Sequence, residues 1–131
     1  MPSIPKSPIR GMRPPLFGME MFRLLGRSKL TFNSHIDLSR HSASNMRLFE
    51  ATGSGACLVT DWKENLGELF EPDVEVVTYR SVAECVKKVK WLLDHPTECA
   101  RIARAGTVRT LSQHTYGHRA PVLDGIIRRH L

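Results

Sequence analysis

Few cysteines, few aromatic residues and no long apolar run mark this sequence of 131 residues. Each shortage closes off a class of protein. The three cysteines, Cys57, Cys85 and Cys99, fall inside expected elements without metal-ligand spacing. They read as reduced core thiols of a cytoplasmic protein, not as a disulfide scaffold or a zinc site. No stretch approaches the roughly 18 apolar residues that a membrane-spanning helix needs. The amino-terminal segment has prolines and scattered bases but no apolar core, so no secretory signal is expected. No nucleophile-elbow pattern supports a serine-type triad, although six histidines are present.

The apolar and charged fractions, 41% and 24%, suit a globular chain long enough for one domain with a proper core. A net charge of +6 suggests a polyanionic partner until its distribution is considered. Residues 1–30 hold six basic and one acidic side chain, and residues 101–131 hold the same numbers. The remaining 31–100 therefore carry seven basic against eleven acidic groups, a net of −4. A nucleic-acid binder concentrates its bases on a recognition element. Here they lie on an irregular arm and on terminal helices, so no nucleic-acid partner is expected.

Residues 1–15 contain five prolines and no apolar periodicity, which predicts an extended lead-in before a domain spanning 16–131. Phe17, Met21, Leu24 and Leu25 recur at helical spacing between Leu16 and Ser28. Lys29–Asn33 reads as a strand, followed by a polar, histidine-bearing loop over Ser34–Ser44 whose length is of a kind often functional. A short helix then carries Arg47 and Glu50, three residues apart and hence neighbours on one face. Gly53 and Gly55 break it before an apolar strand over Ala56–Thr60. A polar loop opens another helix near Lys63, which Asp61 is placed to cap. Glu75–Tyr79 is a third strand. Ser81–Asp94 is an amphipathic helix with a capping-box pair at Ser81 and Glu84. Pro96 starts a helix that runs to about Gln113, and Tyr116–Leu131 forms a last one, with Pro121 in its first turns or splitting it.

Strands alternating with amphipathic helices predict an α/β fold: a Rossmann-like three-layer domain with a parallel sheet of three to five strands. Ligands of such sheets gather at the carboxyl ends of the strands. That rule selects Asn33–His35, Asp61–Lys63 and Tyr79–Arg80, with the start of the Asn45 helix on the same rim. A cation and an anion displayed together there suit a ligand with both phosphates and sugar hydroxyls.

The segment Glu50-Ala51-Thr52-Gly53-Ser54-Gly55-Ala56-Cys57-Leu58-Val59-Thr60-Asp61, followed by Leu66-Gly67-Glu68, resembles the donor-binding motif of group 1 glycosyltransferases with the GT-B fold. The fuller pattern is similar to their spore-maturation-protein-like branch. It adds Asn45-Met46-Arg47-Leu48-Phe49, Glu68-Leu69-Phe70, Glu75–Tyr79 and His114-Thr115-Tyr116-Gly117-His118-Arg119. The similarity covers about residues 16–125. It implies the C-terminal half of a GT-B enzyme that binds a nucleotide-sugar donor and transfers a hexose-like unit to an acceptor hydroxyl.

By the resemblance, Glu50 holds the ribose hydroxyls. Arg47 and the backbone N–H groups near Asn45 favour the diphosphate, and His35 serves the sugar or phosphate region. Asp61 and Glu68 complete the donor-binding set. No catalytic residue is assigned, and neither a metal nor any other cofactor is implied. Two departures stand out. Ser42 occupies a position where the group often has another Glu, and nothing in the chain corresponds to an N-terminal acceptor domain, which a longer polypeptide or a partner chain would supply. His114, Tyr116 and Arg119 are expected to hold the terminal helices against the sheet. The alternative is a non-catalytic Rossmann-like interaction module. A response-regulator-like or phosphosugar-binding domain is a third option, the former disfavoured by the missing acidic cluster at the strand ends.

Overall fold

The computed structural model describes residues 13–36, 38 and 40–131. Most of the expected proline-rich lead-in, and positions 37 and 39 of the long loop, lie outside the described residues. Among the described residues, six helices and three strands follow in the order α1 (Gly18–Arg27), β1 (Leu30–Asn33), α2 (Arg47–Gly53), β2 (Cys57–Asp61), α3 (Leu66–Leu69), β3 (Val77–Tyr79), α4 (Val82–Asp94), α5 (Pro96–Gln113) and α6 (Tyr116–His130). The strands form one parallel sheet in the order β1-β2-β3, with Leu30 opposite Cys57 and Val59 opposite Val77. This is a mixed α/β, Rossmann-like domain.

Side chains alternate across a strand, so one buried strand can feed two cores. On β2, Cys57 and Val59 join Val77 and Tyr79 of β3 and meet Cys85, Leu92, Cys99 and Ile102 of α4 and α5. Leu58 points the other way, into a cluster with Leu25, Leu48, Ala51, Leu66 and Phe70. Leu48, Leu58, Leu66 and Phe70 are fully buried, each worth about 1.5–3 kcal/mol of transfer free energy. The sheet is thus held between α1–α3 and α4–α5, as three layers require.

Two glycines are needed where they stand. Gly55 has φ +97° in the turn between α2 and β2, a conformation that a side chain would strain. Gly106 of α5 lies against the Glu75 carbonyl, so a Cβ there would collide with backbone. The capping at α4 departs in one detail from the expected box. Ser81 Oγ accepts the Glu84 N–H at 3.1 Å, but the Glu84 carboxylate takes the Arg80 N–H at 2.9 Å, one residue before the cap. Pro121 sits within α6 without splitting it.

Candidate functional site

The strand ends do carry a polar network, and it is turned largely inward. Asn33 donates to Thr60 Oγ1 at 3.0 Å, and Asn45 Nδ2 donates to Asn33 Oδ1 at 3.0 Å. Tyr79 Oη donates to the Asn33 carbonyl at 2.8 Å, tying the ends of β1 and β3 together. Beside this, Asp61 Oδ1 receives the His35 backbone N–H at 3.0 Å and the Thr60 hydroxyl at 3.3 Å, and lies 2.7 Å from His35 Nδ1. Lys63 Nζ is 3.5 Å from Asp61 Oδ2 and donates to the Arg40 carbonyl at 2.6 Å. Burial acts to raise the Asp61 carboxyl. The hydrogen bonds from His35 outweigh it, with the attraction of His35 and Lys63, and its pKa falls below the usual carboxylate value.

Asp61 therefore does not cap a helix. α3 begins only at Leu66, after Asn65, and is four residues long. His35 has a fully buried side chain whose Nε2 has no hydrogen-bond partner among the described residues. The helix expected from Asn45 begins at Arg47, with Met46 at its cap position and no side-chain cap. The backbone N–H groups of Leu48, Phe49 and Glu50 already donate to the carbonyls of Asn45 and Met46.

A concavity lies along α2 instead of over the strand ends. Met46, Phe49, Glu50 and Gly53 recur at helical spacing on its outer face. With Phe22 of α1 and Tyr116 of α6 they border a cavity of about 590 Å³. Glu50 Oε2 pairs with Arg47 Nε at 3.2 Å, so the expected cation–anion pair exists. Only Glu50 faces the cavity, however. Arg47 reaches toward α1, where Nη2 lies 3.5 Å from Met21 Sδ. Their projection together into a cleft at the sheet's rim is corrected accordingly. Glu68 is exposed on α3 and does not border the cavity; its carbonyl accepts from Arg109 Nη2 at 3.2 Å.

His114, Tyr116 and Arg119 all border the cavity as well. His114 Nε2 lies 2.7 Å from the Leu69 carbonyl, and its ring packs against Phe49 and Phe70 with centroids 5.1 and 5.3 Å away. The Arg119 guanidinium sits 5.2 Å from the Phe49 ring centroid, an attractive cation–π placement. The signal in the sequence was the run of histidines, Tyr116 and Arg119 just past a helix end. What hid its role was the distance in sequence from Glu50, which only the α2–α5 packing removes.

Among the described residues, no group of three or more His, Cys, Asp or Glu side chains is placed to hold a metal ion, and no helix is long and apolar enough to cross a membrane. A family model described as glycosyl transferase-like matches residues 9–124. No curated protein matches the chain. The match spans most of the sequence, and the chain belongs to this glycosyl transferase-like family.

Proposed function

We propose that this domain binds a nucleoside-diphosphate sugar and transfers its glycosyl group to an acceptor hydroxyl. The observation that carries the proposal is the Glu50 carboxylate on the wall of the α2 cavity, held by Arg47. One carboxylate oxygen is engaged by the guanidinium. The other retains its lone pairs for the vicinal hydroxyls of a ribose. In the transfer, the acceptor oxygen bonds to the anomeric carbon as the bond to the phosphate oxygen breaks, the nucleoside diphosphate leaves with the electron pair, and the hydroxyl proton passes to the leaving phosphate or to water. Arg119, on the cavity wall, supplies positive potential near that leaving group, while Arg47 acts through Glu50, which it holds. His35, Asn45 and Asp61 support the site from the strand ends, and Glu68 enters only through the resemblance. The proposal extends to a C-terminal half of a GT-B enzyme of the spore-maturation-protein-like branch, acting in the cytoplasm without a metal. An acceptor-binding domain would come from elsewhere in a polypeptide or from a partner chain.

Thermal unfolding in the presence of UDP, GDP or ADP tests the donor assignment. At a ligand concentration about 100-fold above Kd, linkage adds about 2.7 kcal/mol, a rise of several degrees in Tm. Glu50→Ala should abolish the rise while changing the unliganded Tm little, because the Arg47 partner is 39% exposed. A shift that survives in Glu50→Ala would remove the carboxylate from the site.

One observation favours the interaction module as a second reading. α6 buries none of its residues, and Val122, Leu123, Ile126 and Ile127 are all exposed on it. A melting point indifferent to every nucleotide, together with a defined complex through α6, would favour that reading.

A further inference from the structure

Deepening the nucleotide-sugar reading, on which it rests, we infer that the α2 cavity takes the nucleoside by stacking and hydroxyl recognition and does not distinguish among bases. Its walls are mainly apolar and aromatic. Phe22 and Tyr116 are 41% and 81% exposed, offering ring surface from two different helices. Base–aromatic stacking tolerates any base, since every base has a π-face.

Discrimination requires fixed donors and acceptors that are free to meet a base edge. The polar side chains bordering this cavity are mostly committed elsewhere. Thr110 Oγ1 is 2.6 Å from Thr52 Oγ1, and Thr115 Oγ1 is 2.6 Å from His118 Nδ1. His114 uses Nε2 on the Leu69 carbonyl, and its Nδ1 lies 3.4 Å from Arg119 Nη2. Glu50, Arg119 and the exposed hydroxyls of Ser44 and Tyr116 retain capacity. Glu50 accepts sugar hydroxyls. Arg119 supplies the cation that a diphosphate needs. The Ser44 and Tyr116 hydroxyls rotate to donate or accept, so each pairs equally with either kind of base edge. Neither hydroxyl fixes a donor–acceptor pattern.

The test is calorimetric titration of the intact chain with UDP, GDP, ADP and 2′-deoxy-UDP. The three ribonucleotides should have Kd values within about tenfold of one another, since shape alone discriminates weakly. Phe22→Ala and Tyr116→Ala, both at exposed positions that leave folding intact, should each weaken all three by a similar factor, about 5- to 100-fold. A preference above a hundredfold for one base would overturn the inference, as would ring-truncation variants that bind like the parent. UDP should bind more tightly than 2′-deoxy-UDP, and Glu50→Ala should erase that difference. Loss of this ribose effect, or no binding by any nucleotide, overturns the donor assignment itself and the inference with it. A single-base preference overturns only the inference.

Discussion

Replacing Asp61 probes the strand-end network at its most connected atom. Two N–H groups of His35 and the Thr60 hydroxyl converge on Oδ1, while Lys63 faces Oδ2. Asp61→Ala strands these donors, and the His35 ring is fully buried, so it cannot turn to water for a replacement. Each buried group left unsatisfied costs about 1–3 kcal/mol. The whole change should therefore cost about 2–4 kcal/mol, because the Asp61 carboxylate is itself 19% exposed and only the His35 donors are left away from water. Asp61→Asn keeps an acceptor oxygen and the volume but loses the charge, and should cost about 1–2 kcal/mol.

The pH dependence follows from the lowered pKa of Asp61. A carboxyl held lower in the folded state adds stability that is fully present above its unfolded pKa of about 3.9. That stability is lost as pH falls through the folded value. In urea titrations the difference between the parent and Asp61→Asn should thus be full at neutral pH and shrink as pH falls below about 3.9 and on through the lower folded value. A penalty under about 1 kcal/mol at neutral pH for Asp61→Ala, or a parent–Asn gap that is unchanged in acid, would refute the account of this network.

Other substitutions test the packing that places the cavity. Gly106→Ala puts a methyl group against the Glu75 carbonyl. It should cost about 1–3 kcal/mol or more by urea midpoint, because the obstacle is backbone. An unchanged midpoint would mean that α5 lies further from the Glu71–Val76 segment. Ser81→Ala removes the acceptor of the Glu84 N–H and should lose about 1 kcal/mol, with Ser81→Gly losing less. Burial, with Cys99 beside it, pushes the Cys57 thiol up to about 12, so iodoacetamide at neutral pH should leave Cys57 unlabelled until the chain unfolds. Rapid native-state labelling would contradict the buried β2–α5 contact.

The layer order was legible because apolar spacing reports on one element at a time. Cys85, Val89 and Leu92 announce the buried α4 face, although Val82, Val86 and Leu93 of the same apolar stripe are exposed, and Ala56–Thr60 announces a central strand, since both patterns are local. Strand ends were less exact. Glu75 was expected to open β3, but its carbonyl lies against Gly106 and its carboxylate accepts the Glu71 N–H at 2.8 Å, so the strand starts at Val77. Asp61 looked like a cap because Asp before a polar loop has that role in most helices. Nothing local revealed that His35, on the neighbouring strand's end, would claim the carboxylate first. Arg47 and Glu50 were correctly read as neighbours, since three-residue spacing fixes that. Which of them faces a cavity depends on Met21 and Phe22 of α1, Thr110 of α5 and Tyr116 of α6, which no spacing rule relates to α2.

The same division bears on function. Chemistry that depends on side-chain type, a carboxylate for hydroxyls beside a guanidinium, is written within a single turn of α2. On the proposed reading, the walls that decide which molecule reaches that carboxylate are assembled from four other helices, α1, α3, α5 and α6. Substitutions on α2 should accordingly change whether a sugar-bearing ligand binds at all. Those at Phe22 and Tyr116 should change how firmly its flat part is held, with the Glu50–Arg47 pair intact. Comparing the two sets on one nucleotide separates recognition by hydrogen bonding from recognition by surface, and equal effects on ribose selectivity from both sets would dissolve the distinction.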